Sequence, residues 1–304
     1  YRQTGRFSEL LEVYEKRRDL ALDTTQKKTI NFEIAKLFET EIKDVEKAIT
    51  TYLAVLEDEP TDGQALAALD VLYRQLERWE PYVDVLRRRI ELDVSEAELV
   101  DLKYRLGQTL EKHLSDAAGA LENYREILFV DARHEGAKAA LEALLTHDSL
   151  KSEAASILES IYEERGEWDK LIGALEILAA NEGDVQKRVQ LLRKVARISS
   201  DSSNDFGKSF DALARALKDE PSLNETRAEI ERVAEQSNGY KQLVELYTSI
   251  AKDLSDAMLA REYWMKVAAI DERLGLVDEA AAGYAHVLEI DASDAEALAA
   301  LEQL

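Results

Sequence analysis

The sequence predicts an all-α protein, a solenoid of about 16–17 antiparallel helices, on three observations. Composition is the first: 46% of the 304 residues are hydrophobic and 33% charged, with only 3 Pro and 12 Gly. That is far from the turn-rich profile of a sheet protein. A chain of this length also exceeds the usual single core, which favours an array that grows in one dimension. The second observation is periodicity. Apolar residues recur at i, i+3, i+4 and i+7, as in Leu102, Leu106, Leu110 and then Leu121, Tyr124, Leu128, the stripe of a half-buried helix. The third is an internal repeat carried by two phrases in step.

In chain order, the first phrase reads YRQTGRF from Tyr1, YRQLERW from Tyr73, YEERGEW from Tyr162 and AEQSNGY from Ala234. A second keeps the same beat: AITTYLAVLEDEP ends at Pro60, ALENYREILFVDA at Ala132, SFDALARALKDEP at Pro221 and AAAGYAHVLEIDA at Ala292. Each repeat therefore reads as four antiparallel helices, or two hairpins. The first phrase marks a hairpin turn whose aromatic (Phe7, Trp79, Trp168, Tyr240) packs the next helix. Thr61-x-x-Gln64, Ser95-x-x-Glu98, Ser222-x-x-Glu225 and Ser293-x-x-Glu296 have the spacing of capping boxes, and Pro60 and Pro221 end the helices before them. Asp84/Arg88, Asp211/Arg215 and Glu12/Lys16 stand at i, i+4 with the acid first, which suits exposed helical faces.

The second repeat is longer than the others. Both EGAKAALEALL (Glu135 to Leu145) and SEAASILESIY (Ser152 to Tyr162) match the first-repeat helix GQALAALDVL, which reads as one duplicated helix joined through THDSLK. An odd helix in an up-down array reverses the direction of every later helix. The expectation is a boundary or kink near Thr146 to Lys151, between domains 1–147 and 148–304.

These hairpins resemble tetratricopeptide repeats (TPRs). Ala48, Ala120 and Ala280 fit that family's alanine early in helix B, Tyr52, Tyr124 and Tyr284 its aromatic four residues later, and Pro60 and Pro221 its closing proline. Ala35, Gly107 and Ala196 fit the small residue of helix A if the hairpin is one residue longer than usual. The alternate hairpins depart from the pattern, with Leu10, Tyr82, Leu171 and Leu243 at the alanine position and Leu69, Leu158 and Ile230 at the small position. Half-a-TPR scaffolds of RNA processing are the nearest alternative. Either resemblance implies a TPR-like, right-handed α-α superhelix acting as a binding scaffold.

In the resembled family helix A lines the concave groove. Counting from the small position, that implies a partner-binding row of Phe32, Tyr104, Arg193 and Trp264, with Lys36, Gln108 and Arg197 one turn on. Aromatic residues and Arg dominate binding hot spots because they bury much area at low entropic cost. A register shift of one residue moves a side chain by about 100°, and the aromatics would then wedge between helices as core.

Chemistry is sparse. There is no cysteine, so no disulfide or thiolate metal site. Among the four histidines, His113, His134, His147 and His286, the plausible helical pair is His286 with Glu289, one turn apart, without a second ExxH or HxxxH to complete a metal sphere. No phosphate loop, nucleophile elbow or poised carboxylate pair is recognisable, so the expectation is a non-enzyme without cofactor or metal. An enzyme built as a helical toroid is the reading to set against it. A net charge of -23 disfavours direct contact with nucleic acid, and no apolar run is long enough for membrane insertion. The expected partner is another protein or peptide. Arg87, Arg88 and Arg89 fan out around a helix, with Asp84 and Glu91 near enough to pair, and read as a solvated face. The chain starts and stops in mid-pattern, which suggests a segment of a longer array with open ends able to self-associate. The sequence carries no signal peptide, which leaves the cytoplasm as the default compartment.

Overall fold

The structure, a computed structural model, describes residues 5–304. Tyr1, on which the first phrase begins, lies outside the described residues. Among them are seventeen α-helices, one π-helical turn and no strand. The chain divides into two compact bodies, Tyr1–His147 and Asp148–Leu304.

The first body holds α1 (Phe7–Asp19), α2 (Thr24–Leu37), α3 (Val45–Asp58), α4 (Gly63–Gln75), α5 (Trp79–Ile90), α6 (Glu96–His113), α7 (Ala117–Val130) and α8 (Glu135–Leu144). The second holds α9 (Lys151–Arg165), α10 (Trp168–Asn181), α11 (Val185–Asp201), α12 (Phe206–Asp219), α13 (Asn224–Ser237), α14 (Tyr240–Asp253), α15 (Ala257–Arg273), α16 (Val277–Ile290) and α17 (Ala295–Gln303). Within each body every helix packs on its neighbours in sequence. Connections of a few residues between packed neighbours make successive helices antiparallel. The two segments that match one template are separate helices, α8 and α9.

The turns explain the opening phrase. Among the described residues, positive φ occurs at Gly5, Lys43, Glu77, Ser115, Gly166, Asn204, Asn238 and Gly275, in alternate connections within each body. Gly5, Glu77, Gly166 and Asn238 each occupy the fifth position of the phrase, and the seventh position (Phe7, Trp79, Trp168, Tyr240) opens a helix every time. The sixth residue's N–H closes on the carbonyl of the first: Arg78 on Tyr73 at 2.9 Å, Glu167 on Tyr162 at 2.9 Å and Gly239 on Ala234 at 2.7 Å. This is a left-handed C-cap that satisfies orphan carbonyls of one helix while aiming the chain into the next.

Of the other four such turns, the one between α15 and α16 keeps the shorter closure, Leu276 on Asp271 at 2.9 Å, and three are wider. Asp44 closes on Phe38 at 2.9 Å, Asp116 on Leu110 at 2.9 Å and Asp205 on Ser199 at 2.8 Å, one residue longer than in the phrase. The π-helical turn Phe38–Ile42, running on from α2, is one expression of that extra residue. Each of these aspartates then caps the next helix, accepting from the Lys47 N–H at 3.2 Å, the Gly119 N–H at 2.8 Å and the Lys208 N–H at 2.9 Å. The backbone bond holds the Asp44 and Asp205 carboxyls below their ordinary pKa.

Between helices the cores repeat the same contacts. Ala48, Ala120 and Ala280 are fully buried, and Tyr52, Tyr124 and Tyr284 lie beneath the surface. Each tyrosine donates to a carboxylate from the end of the preceding helix: Tyr52 to Glu39 at 3.1 Å, Tyr124 to Glu111 at 2.8 Å and Tyr284 to Glu272 at 2.8 Å. The third repeat has Leu213 in place of the tyrosine and Ser200 in place of the acid, so no buried carboxylate loses its donor. Gly107 meets a spatial demand, because a Cβ there would lie 2.7 Å from the Tyr124 ring.

Only one expected capping box forms a cap. Ser95 accepts from the Glu98 N–H at 3.3 Å, but the Glu98 carboxylate turns to Arg89 instead of reaching back. At α4 and α17 the helix begins one residue later and Asp62 and Asp294, stronger acceptors beside Thr61 and Ser293, make the cap. Ser222 bonds Glu220, and α13 starts from Leu223 without a side-chain cap. The expected i, i+4 pairs of Arg88 and Arg215 give way to contacts between helices: Arg88 donates to the Pro60 carbonyl at 2.6 Å and Arg215 pairs with Glu176 of α10.

Candidate partner-binding face

The inner row expected from the sequence does not face solvent as a set. Phe32 is half-buried with its ring 5.8 Å from that of Tyr52. Tyr104 is wedged between Tyr124 at 6.2 Å and His134 at 4.9 Å, and its hydroxyl abuts Gly136 of α8. Trp264 is 8% exposed and stacks on His286 at 4.2 Å. Arg193 is consumed by Glu229, which it meets through two bonds at 2.9 and 2.8 Å, and by Glu225 at 2.9 Å. Those bonds raise its pKa further, Glu229 foremost. These side chains are engaged by later helices, Phe32 by α3, Tyr104 by α7 and α8, Arg193 by α13 and Trp264 by α16, so the row is used in packing. It is not a free surface.

The row one turn on differs. Lys36 and Arg197 are exposed and Gln108 half-exposed, and neither cation has an ion-pair partner among the described residues. Another helical turn along, α6 and α15 present Lys112 and Arg273, both exposed. On a chain of net charge -23, these helix faces carry exposed cations in place of the prevailing acids.

A constant lateral pairing holds α6, α11 and α15 each to the helix two before it in sequence. Arg105 meets Asp70 at 2.9 Å, Lys194 meets Glu159 at 2.9 Å and Lys266 meets Glu231 at 2.6 Å, each across 35 residues. Asp70 is 2% exposed and also accepts from Arg89, so one carboxylate ties α4 to α5 and α6. Inspection of neighbouring residues does not reveal these pairs. Aligning the repeats would have, since acid and base keep fixed register. The arginine triplet is likewise not a uniformly solvated face: Arg89 pairs with Asp70 and Glu98, in place of the expected Asp84 or Glu91.

His286 does contact Glu289, at 2.9 Å, but among the described residues no three His, Asp or Glu side chains are placed to share a metal ion. His113 stacks on Trp79 at 3.7 Å, and His134 caps α8 through Nδ1, which accepts from the Ala137 N–H at 3.0 Å. Among the described residues no helix is long and apolar enough to cross a membrane.

Stacked helical hairpins with a repeating turn, a repeating core and a repeating lateral pair define an all-α helical-repeat protein. Residues 154–189 match the family model described as tetratricopeptide repeat. The matched segment takes in most of α9, the whole YEERGEW turn, α10 and the start of α11, and so centres on one of the alternate hairpins, where Leu158 and Leu171 replace the small residues. No curated protein sequence gives a significant match. Among solved structures the chain is similar to the MamA protein, at 17% identity over 65% of this chain and 93% of that one, with a TM-score of 0.30. It is also similar to the TPR domain of P58(IPK), at 14% identity over 91% and 97%, TM-score 0.31. A third likeness is to the TPR protein YrrB, at 14% identity over 75% and 98%, TM-score 0.29.

Proposed function

We propose that the chain is a non-enzymatic scaffold that binds a segment of another protein along the exposed faces of its regular helices. The carrying observation is that Lys36 and Gln108 in the first body, and Arg197 in the second, keep one register on α2, α6 and α11 and face outward. Helical-repeat arrays offer such rows on preformed, rigid elements, so little ordering entropy opposes binding. Exposed cations on an acidic chain favour an acidic partner segment and would speed its encounter.

The test is site-specific photocrosslinking. A photoreactive residue at Lys36 or Arg197 is expected to trap a defined partner peptide that the same residue at Lys47 or Arg215 does not. Equal trapping at all four positions would refute this face.

A further inference from the structure

The turn that ends α4 and begins α5 encloses, with the C-terminal half of α6, a cavity of about 240 Å³ lined by Arg74, Trp79, Tyr82, Arg105, Gln108, Thr109, Lys112 and His113. No carboxylate lines it. The fourth repeat has a cavity at the same register, whose lining includes Glu231, Arg232, Glu235, Tyr240, Lys266 and Arg273. There the charges balance internally: Lys266 meets Glu231 at 2.6 Å and Arg273 meets Glu235 at 3.5 Å. In the third repeat Glu163 holds the Glu235 position and meets Lys194 at 2.7 Å.

The second repeat breaks this balance. Arg74 stands where the third and fourth repeats have Glu163 and Glu235, and Lys112 stands where the fourth has Arg273. Arg105 is neutralised by Asp70 and by Asp101, each at 2.9 Å. Neither Arg74 nor Lys112 has an acidic partner among the described residues, although the chain carries 62 acids against 39 bases. Trp79 and His113 stack at 3.7 Å with an interplanar angle of 13°, which gives the cavity one flat wall. Tyr82, 2% exposed, accepts from Arg105 at 3.3 Å, and its own hydroxyl hydrogen remains to be donated.

We infer that this cavity receives an acidic side chain, Asp or Glu, of a bound peptide segment. The carboxylate would sit between Arg74 and Lys112 and its carbons against the Trp79–His113 wall. The volume suits one side chain and is small for a nucleotide, and the net charge opposes nucleic acid. Gln108 belongs both to the cavity and to the proposed binding row, so the inference rests on the scaffold reading and extends it by naming the partner's chemistry.

The probe is a short acetylated and amidated glutamate–glycine peptide, read by fluorescence anisotropy on the full chain at low salt. Its glutamine–glycine and phosphoserine–glycine counterparts serve as comparisons. Arg74→Glu, which introduces the acid of the third and fourth repeats, is expected to weaken glutamate-peptide binding about tenfold, and Arg74→Gln and Lys112→Gln severalfold. Lys47→Gln should leave it unchanged. Thermal melts of each variant check folding, and Arg74→Gln guards against a new Glu–Lys112 pair in Arg74→Glu. Equal binding by the wild type and both Arg74 variants would overturn the inference, as would equal binding of the glutamine peptide or binding of the phosphoserine peptide alone. Lys36→Glu/Arg197→Glu separates the two readings. If this variant binds normally while Arg74→Glu fails, the cavity stands without the wider row, and the reverse result removes the cavity and keeps the row.

Discussion

Asp70 offers the sharpest test of what holds the first body together. Its carboxylate is 2% exposed and accepts from Arg105 at 2.9 and 3.0 Å and from Arg89. The Arg89 and Arg105 side chains are themselves only 16% and 21% exposed. Asp70→Ala would leave two largely buried guanidinium groups without their shared anion, and breaking a buried pair from one side costs about 3 to 5 kcal/mol. The acids at the same register in the second body are more open, with Glu159 at 26% and Glu231 at 37% side-chain exposure. Water and salt screen them, so Glu159→Ala should cost about 1 kcal/mol or less. Urea denaturation of the full chain, followed by the Trp79 signal for the first body and calorimetry for both, measures the difference. Asp70→Leu combined with Arg105→Met should cost less than the two single changes added together, because each then removes the other's unpaired charge. A loss below about 1 kcal/mol for Asp70→Ala, or strict additivity in the double variant, would refute the reasoning.

The geometry sets two further outcomes. Lys43, Glu77 and Ser115 hold a left-handed conformation without being glycine; replacing any of them by Gly should raise stability by about 0.5 to 1 kcal/mol, while Gly166→Ala should lower it by about 1 to 2 kcal/mol. Both appear as shifts of the urea midpoint. Burial, reinforced by Glu272, pushes the Tyr284 hydroxyl up to about 12, and Tyr52, Tyr124, Tyr247 and Tyr263 are raised chiefly by burial as well. The unfolded chain releases these protons near pH 10 and the folded chain does not. Stability is therefore whole below pH 10 and falls above it, by about 1.4 kcal/mol per pH unit for each tyrosine held protonated. Absorbance at alkaline pH should show these phenols ionising together with unfolding, and early ionisation of all twelve tyrosines in the folded chain would contradict it.

Most of the fold could be read before the structure, since the apolar stripe of each helix and the two phrases are properties of short segments. Positions such as Tyr52, Tyr124 and Tyr284 stand out because their environment repeats. The turn chemistry was hidden by its tolerance: Gly, Glu, Asn, Lys and Ser all fill the left-handed position, so identity alone does not mark it. The helix caps were misjudged where Asp62 and Asp294 come directly after the expected Thr61 and Ser293, a contest between acceptors that depends on where the backbone enters the helix. Asp271 shows a different limit. It is 5% exposed where the other repeats have Phe38, Leu110 and Ser199, and burial raises its pKa, but nothing in its local sequence separates it from a surface acid. The candidate face was legible only as a choice between rows, because a step of one residue turns a side chain through about 100°. Contacts then assigned Phe32, Tyr104, Arg193 and Trp264 to packing and left Lys36, Gln108 and Arg197 outward.

The lateral pairs also bear on how such a chain could lengthen or shorten. Asp70, Glu159 and Glu231 each look to a base 35 residues onward, so the acid half and the basic half are interchangeable parts. A recombination that joined the first body after Asp70 to the segment after Glu231 would set Asp70 opposite Lys266 with the spacing intact. A join out of step would strand a buried carboxylate and be eliminated as an unstable product. The pairs thus act as a reading frame for whole repeats, one that tolerates gain or loss in complete units and penalises fractions of them.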